Sequence, residues 1–235
     1  MPSLESIDSI YQRACERKGG EKQLRLLLGD RQDQKALLAL SDDRFLSAFT
    51  QKVFQSGFVW RVVRNKWPDF EELFFNFDIE KVLMMPDEML ERKASDPRII
   101  RNFNKVKTIK ANAQMIFSEQ QNGHSFAEFI YHWPSEDIVG LWAYLKKNGA
   151  RLGGNTGCYA LRELGKDTFT LSSDIEAYFR AHDHISGGVR TKASLTAISQ
   201  AFAEWQEQSD YSLTQLSRLL AFATGDNFVQ VETND

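Results

Sequence analysis

Between two amphipathic helical patterns the chain runs Arg151-Leu-Gly-Gly-Asn-Thr-Gly-Cys-Tyr-Ala160, with three glycines in five residues and no acid. Few backbones suit such a stretch. Gly153, Gly154 and Gly157 permit a tight turn and let a ligand approach exposed N–H groups, and helical spacing resumes at Cys158. A short glycine-rich turn that opens a helix is an anion site, because unpaired N–H groups and the helix dipole both favour negative charge. Lys146, Lys147 and Arg151 lie at or just before the turn, and Arg162 just after it. The plainer alternative is a tight turn between two core helices.

A period of about 3.6 residues dominates the rest of the chain and strand-like alternation is nearly absent, so the expected class is all-α. Helices are expected over Ser3–Arg17 and Lys22–Leu28, and from Ser41 onward with Phe45, Leu46, Phe49, Val53 and Phe54 on the apolar face. Pro68 opens a Phe-rich segment, and two short helices follow at Asp78–Met84 and Pro86–Ser95. Asp96-Pro97 fits an N-cap with proline at the first helical position, starting a long helix to about Gln121. Ser125–His132, Ser135–Lys147, Cys158–Leu164, Ser173–Arg180, Lys192–Ser209 and Ser212–Thr224 complete the set. The last residues, 227–235, are expected to fray. With a DNA phosphate as its anion, the stretch around 135–166 has the design of a helix-hairpin-helix element.

Charge is uneven. The net charge of −3 excludes a globally basic nucleic-acid binder, yet local charge decides contact with phosphate. Between Asp96 and Glu119 there is no acid but there are Arg98, Arg101, Lys105, Lys107 and Lys110, and on the expected helix Arg98, Arg101 and Lys105 share a face. Acids gather elsewhere, at Asp69–Glu72 and Glu204–Asp210. A basic side and an acidic side suit a polyanion partner; solvated helix faces are the alternative. Cys15 and Cys158 are too few for a disulfide framework or a cysteine-based zinc cluster and read as thiols of a reducing cytoplasm. The N-terminus has no signal pattern, and no apolar run reaches membrane-spanning length.

From about Asp42 to Asp174 the chain resembles the 3-methyladenine DNA glycosylase I family of the helix-hairpin-helix glycosylases. Gln55-Ser-Gly-Phe-Val-Trp60 is similar to the family's Gln-Ala-Gly-x-Ser-Trp. Arg98-Ile-Ile-Arg-Asn-Phe-Asn-Lys-Val-Lys-Thr-Ile-Lys-Ala-Asn-Ala113 resembles its Ile-Ile-Arg…Lys-Ile…Asn-Ala helix, and Gly154-Asn-Thr-Gly-Cys-Tyr159 its hairpin Gly-Thr-Thr-x-Cys-Tyr. The resemblance implies one two-lobed helical unit over 1–235 with damaged double-stranded DNA across the cleft. It also implies that an alkylated adenine is flipped out and cut from its sugar. The base must leave the stack and be held by aromatic stacking and edge hydrogen bonds. An N3-methylated adenine is cationic and its glycosidic bond already weak, so the pocket needs mainly to bind it, with electron-rich rings and a carboxylate. Trp60 falls on the family's pocket tryptophan. Lys52, Phe54, Gln55, Phe58 and Tyr159 join it as the expected base pocket. Arg98, Arg101, Lys105, Lys146, Lys147, Arg151, Gly153, Gly154, Asn155, Thr156 and Gly157 are the expected DNA contacts. Core packing is the alternative for the aromatic residues.

The chain departs from the family in three places. Lys52 stands where the family has the glutamate that contacts the flipped base, with Gln51 there after a one-residue slip. No counterpart of the family's Tyr-His-x-x-Glu-Trp-Gly segment is found in Leu26–Asp43. The family's zinc ligands are missing: Asp174 occupies the downstream position, Cys15 has no matching partners, and His182 and His184 lack the other ligands. No zinc and no cofactor are therefore expected. The wider superfamily often places an aspartate shortly after the hairpin. Ser172 is the direct match here, and Asp174, two residues on, is the expected catalytic carboxylate. Its alternative duty is in a capping box, Ser173-Asp-Ile-Glu176, where a negative charge in the first turn steadies the helix.

The expected function is a cytoplasmic, monomeric DNA repair glycosylase that excises an alkylated purine such as 3-methyladenine. Two alternatives remain open: a non-catalytic helix-hairpin-helix DNA-binding protein, and a helical scaffold with incidental basic faces.

Overall fold

The computed structural model describes residues 3–226, which are helical with no strand among them. Residues 227–235, expected to fray, lie outside the described residues. The chain forms two compact units, one taking it up to Gln32 and again from Asp167, the other spanning Asp33–Lys166.

The chain enters the first unit with α1 (Ile7–Arg17) and α2 (Glu21–Leu28). In the second unit a 3-10 turn, Gln34–Ala39, leads to α3 (Asp42–Gln55), α4 (Trp60–Asn65) and α5 (Trp67–Leu73). Then come α6 (Ile79–Leu83), α7 (Asp87–Ala94), α8 (Phe103–Gln121), α9 (Phe126–His132), α10 (Ile138–Asn148) and α11 (Asn155–Leu164). The first unit is completed by α12 (Ser173–Ala181), α13 (Lys192–Glu207) and α14 (Leu213–Thr224).

In the first unit α1, α12 and α13 all pack on α14. Phe169 stacks on Phe202 at 4.4 Å, and Trp205 and Tyr178 are fully buried beside them. The Trp205 indole N–H donates to the Glu5 carbonyl at 2.9 Å, so its polar end is satisfied. Asp167 accepts the backbone N–H groups of Leu213 and Thr214, at 2.9 and 2.8 Å, and so closes the start of α14.

In the second unit α3 is the centre. Its expected apolar face is buried: Phe45, Leu46, Phe49, Val53 and Phe54 are essentially inaccessible, and α8 and α11 pack on it. Phe126 meets Phe45 and Phe49 edge-on, at 5.4 and 5.9 Å. Trp67 stacks on Phe70 and Phe77, and its indole N–H donates to the Ser47 hydroxyl at 3.1 Å, tying α5 to α3.

The long helix α8 starts six residues later than the Asp96-Pro97 pair predicts, at Phe103. Asp96 accepts the Arg98 N–H at 2.9 Å in an Asx turn, and the Lys66 ammonium holds the Pro97 and Arg98 carbonyls at 3.1 and 2.7 Å. Those carbonyls are spent, and the helix begins where Asn102 accepts the Lys105 N–H. Arg98 and Arg101 thus precede the helix and share no helical face with Lys105, which corrects the expected basic stripe.

Candidate base pocket and phosphate hairpin

The hairpin belongs to the second unit. It leaves α10 at Asn148 and re-enters helix at Asn155. Gly154 caps α11 at φ +65° and ψ −135°, a conformation that only glycine adopts without strain. Gly157 has no room for a side chain, since a Cβ would sit 2.5 Å from the Leu152 carbonyl oxygen. Arg151 also takes a positive φ, +60°, which turns the chain sharply. Asn112, buried in α8, clamps the loop through both ends of its amide: it accepts the Ala150 N–H at 2.7 Å and donates to the Ala150 carbonyl at 3.3 Å. Cys158 is buried beneath the turn, its thiol donating to the Gly154 carbonyl. The hairpin is therefore a rigid element with the N-terminus of a ten-residue helix at its tip. Lys146, Lys147 and Arg151 are exposed around it.

A cavity of about 350 Å³ opens beside the tip, lined by Gly153, Gly154, Asn155, Thr156 and Tyr159 from the hairpin and α11. The other wall is the end of α3 and the start of α4, with Lys52, Gln55, Ser56 and Trp60. Trp60 is 50% exposed, and the Tyr159 ring meets it edge-on at 6.3 Å. Two electron-rich rings thus line the same space as the hairpin residues. Lys52 is packed low in this wall. Its ammonium lies 5.5 Å from the Trp60 ring centroid, donates to Gln55 Oε1 at 2.9 Å and forms an ion pair with Glu163 of α11.

Several expected site residues are elsewhere. Phe54 is fully buried against Phe70, at 4.7 Å, and belongs to the core. Phe58 is 38% exposed on the outer rim, its ring 4.6 Å from the Lys105 ammonium. Lys105 itself is buried. Its ammonium donates to the carbonyls of Val53 at 2.8 Å, Phe54 at 3.2 Å and Ser56, satisfying the open C-terminus of α3. Burial, and to a smaller degree the charge of Arg151, press the Lys105 ammonium toward a lower pKa. It is a helix staple rather than a phosphate contact. Arg98 pairs with Asp96 and Glu72, while Arg101 is exposed.

Asp174 lies in the first compact unit, in the first turn of α12. The N-cap is Ser172, not Ser173, its hydroxyl accepting the Ile175 N–H at 3.3 Å. The Asp174 carboxylate is pressed against Gly225, where a Cβ would lie 2.2 Å from Oδ1. Its place suits the helix dipole and local packing. Among the described residues no group of three or more His, Cys, Asp or Glu side chains is arranged to hold a metal ion, and no helix is long and apolar enough to cross a membrane.

The methyladenine glycosylase family model matches residues 37–144, within the unit that holds the pocket. DNA-3-methyladenine glycosylase 1 of Escherichia coli (strain K12) is 30% identical, over 46% of this chain and 68% of its own length. Among solved structures, the 8-oxoguanine DNA glycosylase of Methanocaldococcus jannaschii has the same fold, with a TM-score of 0.57 at 14% identity over 89% of this chain and 91% of that one. A 3-methyladenine DNA glycosylase I structure is 25% identical over 54% of this chain and 79% of that chain, with a TM-score of 0.46.

Proposed function

Since the chain belongs to the methyladenine glycosylase family, we propose that it is a DNA repair glycosylase that turns an alkylated purine such as 3-methyladenine out of the duplex and cuts it from its sugar. The observation that carries this reading is the shared cavity: the hairpin glycines and the Trp60 and Tyr159 rings bound one space of about 350 Å³. A hairpin alone would bind backbone without regard to bases. The half-exposed Trp60 ring and the partly buried Tyr159 ring beside it supply what a flipped base requires.

In this reading one DNA strand is held by a phosphate at the Gly153–Gly157 turn, where the α11 N-terminus favours negative charge and Lys146, Lys147 and Arg151 add to the field. The flipped base stacks on Trp60, with Tyr159 at its edge. The apolar rim at Phe58 and Val59, 38% and 66% exposed, faces the duplex and fills the gap that the base leaves. An N3-alkylated adenine departs as a neutral base, so its removal needs binding, orientation and a water placed to add to C1′ more than proton transfer to the base. Asp174 is given no step, because its carboxylate serves α12.

Incubation with randomly methylated duplex DNA, followed by chromatography of released bases, tests the reading. Free 3-methyladenine above the enzyme-free control is expected. Duplex binding with no released base would leave a non-catalytic DNA-binding protein.

A further inference from the structure

Lys52 is the charged residue of the pocket lining, and its charge is positive. Its ammonium is fixed from three sides: Glu163 pairs with it, Gln55 Oε1 accepts from it at 2.9 Å, and the Trp60 ring centroid lies 5.5 Å away. An ammonium has three N–H donors. Among the described residues Glu163 and Gln55 are its oxygen acceptors, so one N–H is left without an oxygen acceptor on a side chain that lines the pocket. A cationic base stacked here would sit beside a like charge, the Lys52 ammonium lying 5.5 Å from the Trp60 centroid. A neutral base with an acceptor oxygen on its edge would instead meet a ready donor.

We infer that Lys52 sets base choice, and that the pocket takes, besides N-alkylated bases, a neutral purine bearing an edge carbonyl, as deamination of adenine produces. The inference rests on the glycosylase reading and extends its substrate class. A neutral purine is a poor leaving group, because the electron pair of the broken C1′–N bond departs with it. Negative charge then builds over the ring nitrogens and the carbonyl oxygen. The Lys52 N–H, already oriented, donates to that oxygen and stabilises the departing anion, as a preorganised donor does for an oxyanion. Water adds to C1′ and gives up a proton, the purine takes up one, and the products are a free neutral base and an abasic sugar. Glu163 pairs with Lys52 and holds it in place; it positions the donor and does not touch the base.

The test compares two substrates under single-turnover conditions: a duplex with one hypoxanthine opposite thymine, and methylated DNA read for 3-methyladenine. The parent is expected to release both. Lys52→Met should lower hypoxanthine release by roughly a hundredfold or more while raising 3-methyladenine release, and Lys52→Glu should do both more strongly. Lys52→Arg, which keeps a cationic donor, should retain hypoxanthine release. A loss of fold lowers both bases together, so opposite shifts separate base choice from stability. Release of 3-methyladenine without hypoxanthine, or a Lys52→Arg variant as deficient in hypoxanthine release as Lys52→Met, overturns the inference and leaves the glycosylase reading standing. Release of neither base by the parent defeats both.

Discussion

Lys105→Met probes how the pocket is built. The ammonium closes the C-terminus of α3 by holding the carbonyls of Val53, Phe54 and Ser56, and the wall from Gln55 to Trp60 hangs from that terminus. Methionine keeps the length and apolar stem but supplies no donor. Each lost charge-assisted hydrogen bond is worth about 1.5–3 kcal/mol. Ser56 is exposed and regains water, and methionine sheds the desolvation cost of the buried ammonium, so the net cost should be about 2–4 kcal/mol. For a chain of this size that corresponds to a fall in Tm of roughly 5–15 °C. The pocket wall should also loosen, lowering base release at temperatures where the variant is still folded. Calorimetry reads the first effect. Duplex binding across a salt series reads a second, because a phosphate contact contributes about 0.9 to the slope of log affinity against log salt. An unchanged slope is expected, as Lys105 is committed to carbonyls. A variant that melts like the parent and loses about one unit of salt slope would refute the staple and return Lys105 to the DNA surface.

Trp60→Ala should leave Tm close to the parent, since the ring is half exposed, yet reduce base release by roughly tenfold or more while undamaged-duplex binding barely changes; equal release would place the base elsewhere. Gly154→Ala and Gly154→Glu should each cost about 1–2 kcal/mol through the positive φ, but only the glutamate should abolish hairpin binding and its share of the salt slope, and equal affinities in the two variants would argue against a phosphate at the turn. Burial alone would raise the Glu5 carboxyl, but hydrogen bonds from Arg13, Ser9 and Tyr178 and the charge of Arg13 bring it down from 4.5 to about 2. Because its folded pKa is depressed, the stability it provides is present above the unfolded value and is lost as pH falls from 4.5 toward about 2. Glu5→Gln should therefore remove roughly 1–2 kcal/mol at neutral pH after allowance for solvent screening and flatten the acid limb of Tm against pH, whereas parallel limbs would contradict that assignment.

The helical class and the hairpin were legible because each leaves a local mark. The α3 face repeats at helical spacing through Phe45, Phe49 and Val53, and Gly154 and Gly157 stand where backbone geometry and space demand glycine. Trp60 and Tyr159 were legible through motif resemblance, and the structure brings them to one cavity with the hairpin. What escaped depends on partners distant in sequence. α4 buries Val63 among exposed neighbours and so has no apolar stripe to read. Asp96-Pro97 has the composition of a helix start, but Lys66 claims the Pro97 and Arg98 carbonyls. Lys105 reads as a surface charge until the end of α3 is known to need donors. Asn112 appeared within the resembling helix, yet its clamp on Ala150 becomes visible only when α8 meets the hairpin. Glu163, which holds Lys52, sits in an ordinary helical pattern that gives no sign of its partner.

The central claim is that the hairpin and the Trp60–Tyr159 cavity act as one site, phosphate at the turn and base against the rings. A structure of the protein bound to a duplex containing a stable abasic-site analogue, soaked with free 3-methyladenine, tests it most directly. The expected result is a backbone phosphate at Gly153–Gly157 and the purine stacked on Trp60 with Tyr159 at its edge. A duplex that bypasses the turn, or a base bound away from Trp60, would contradict the account.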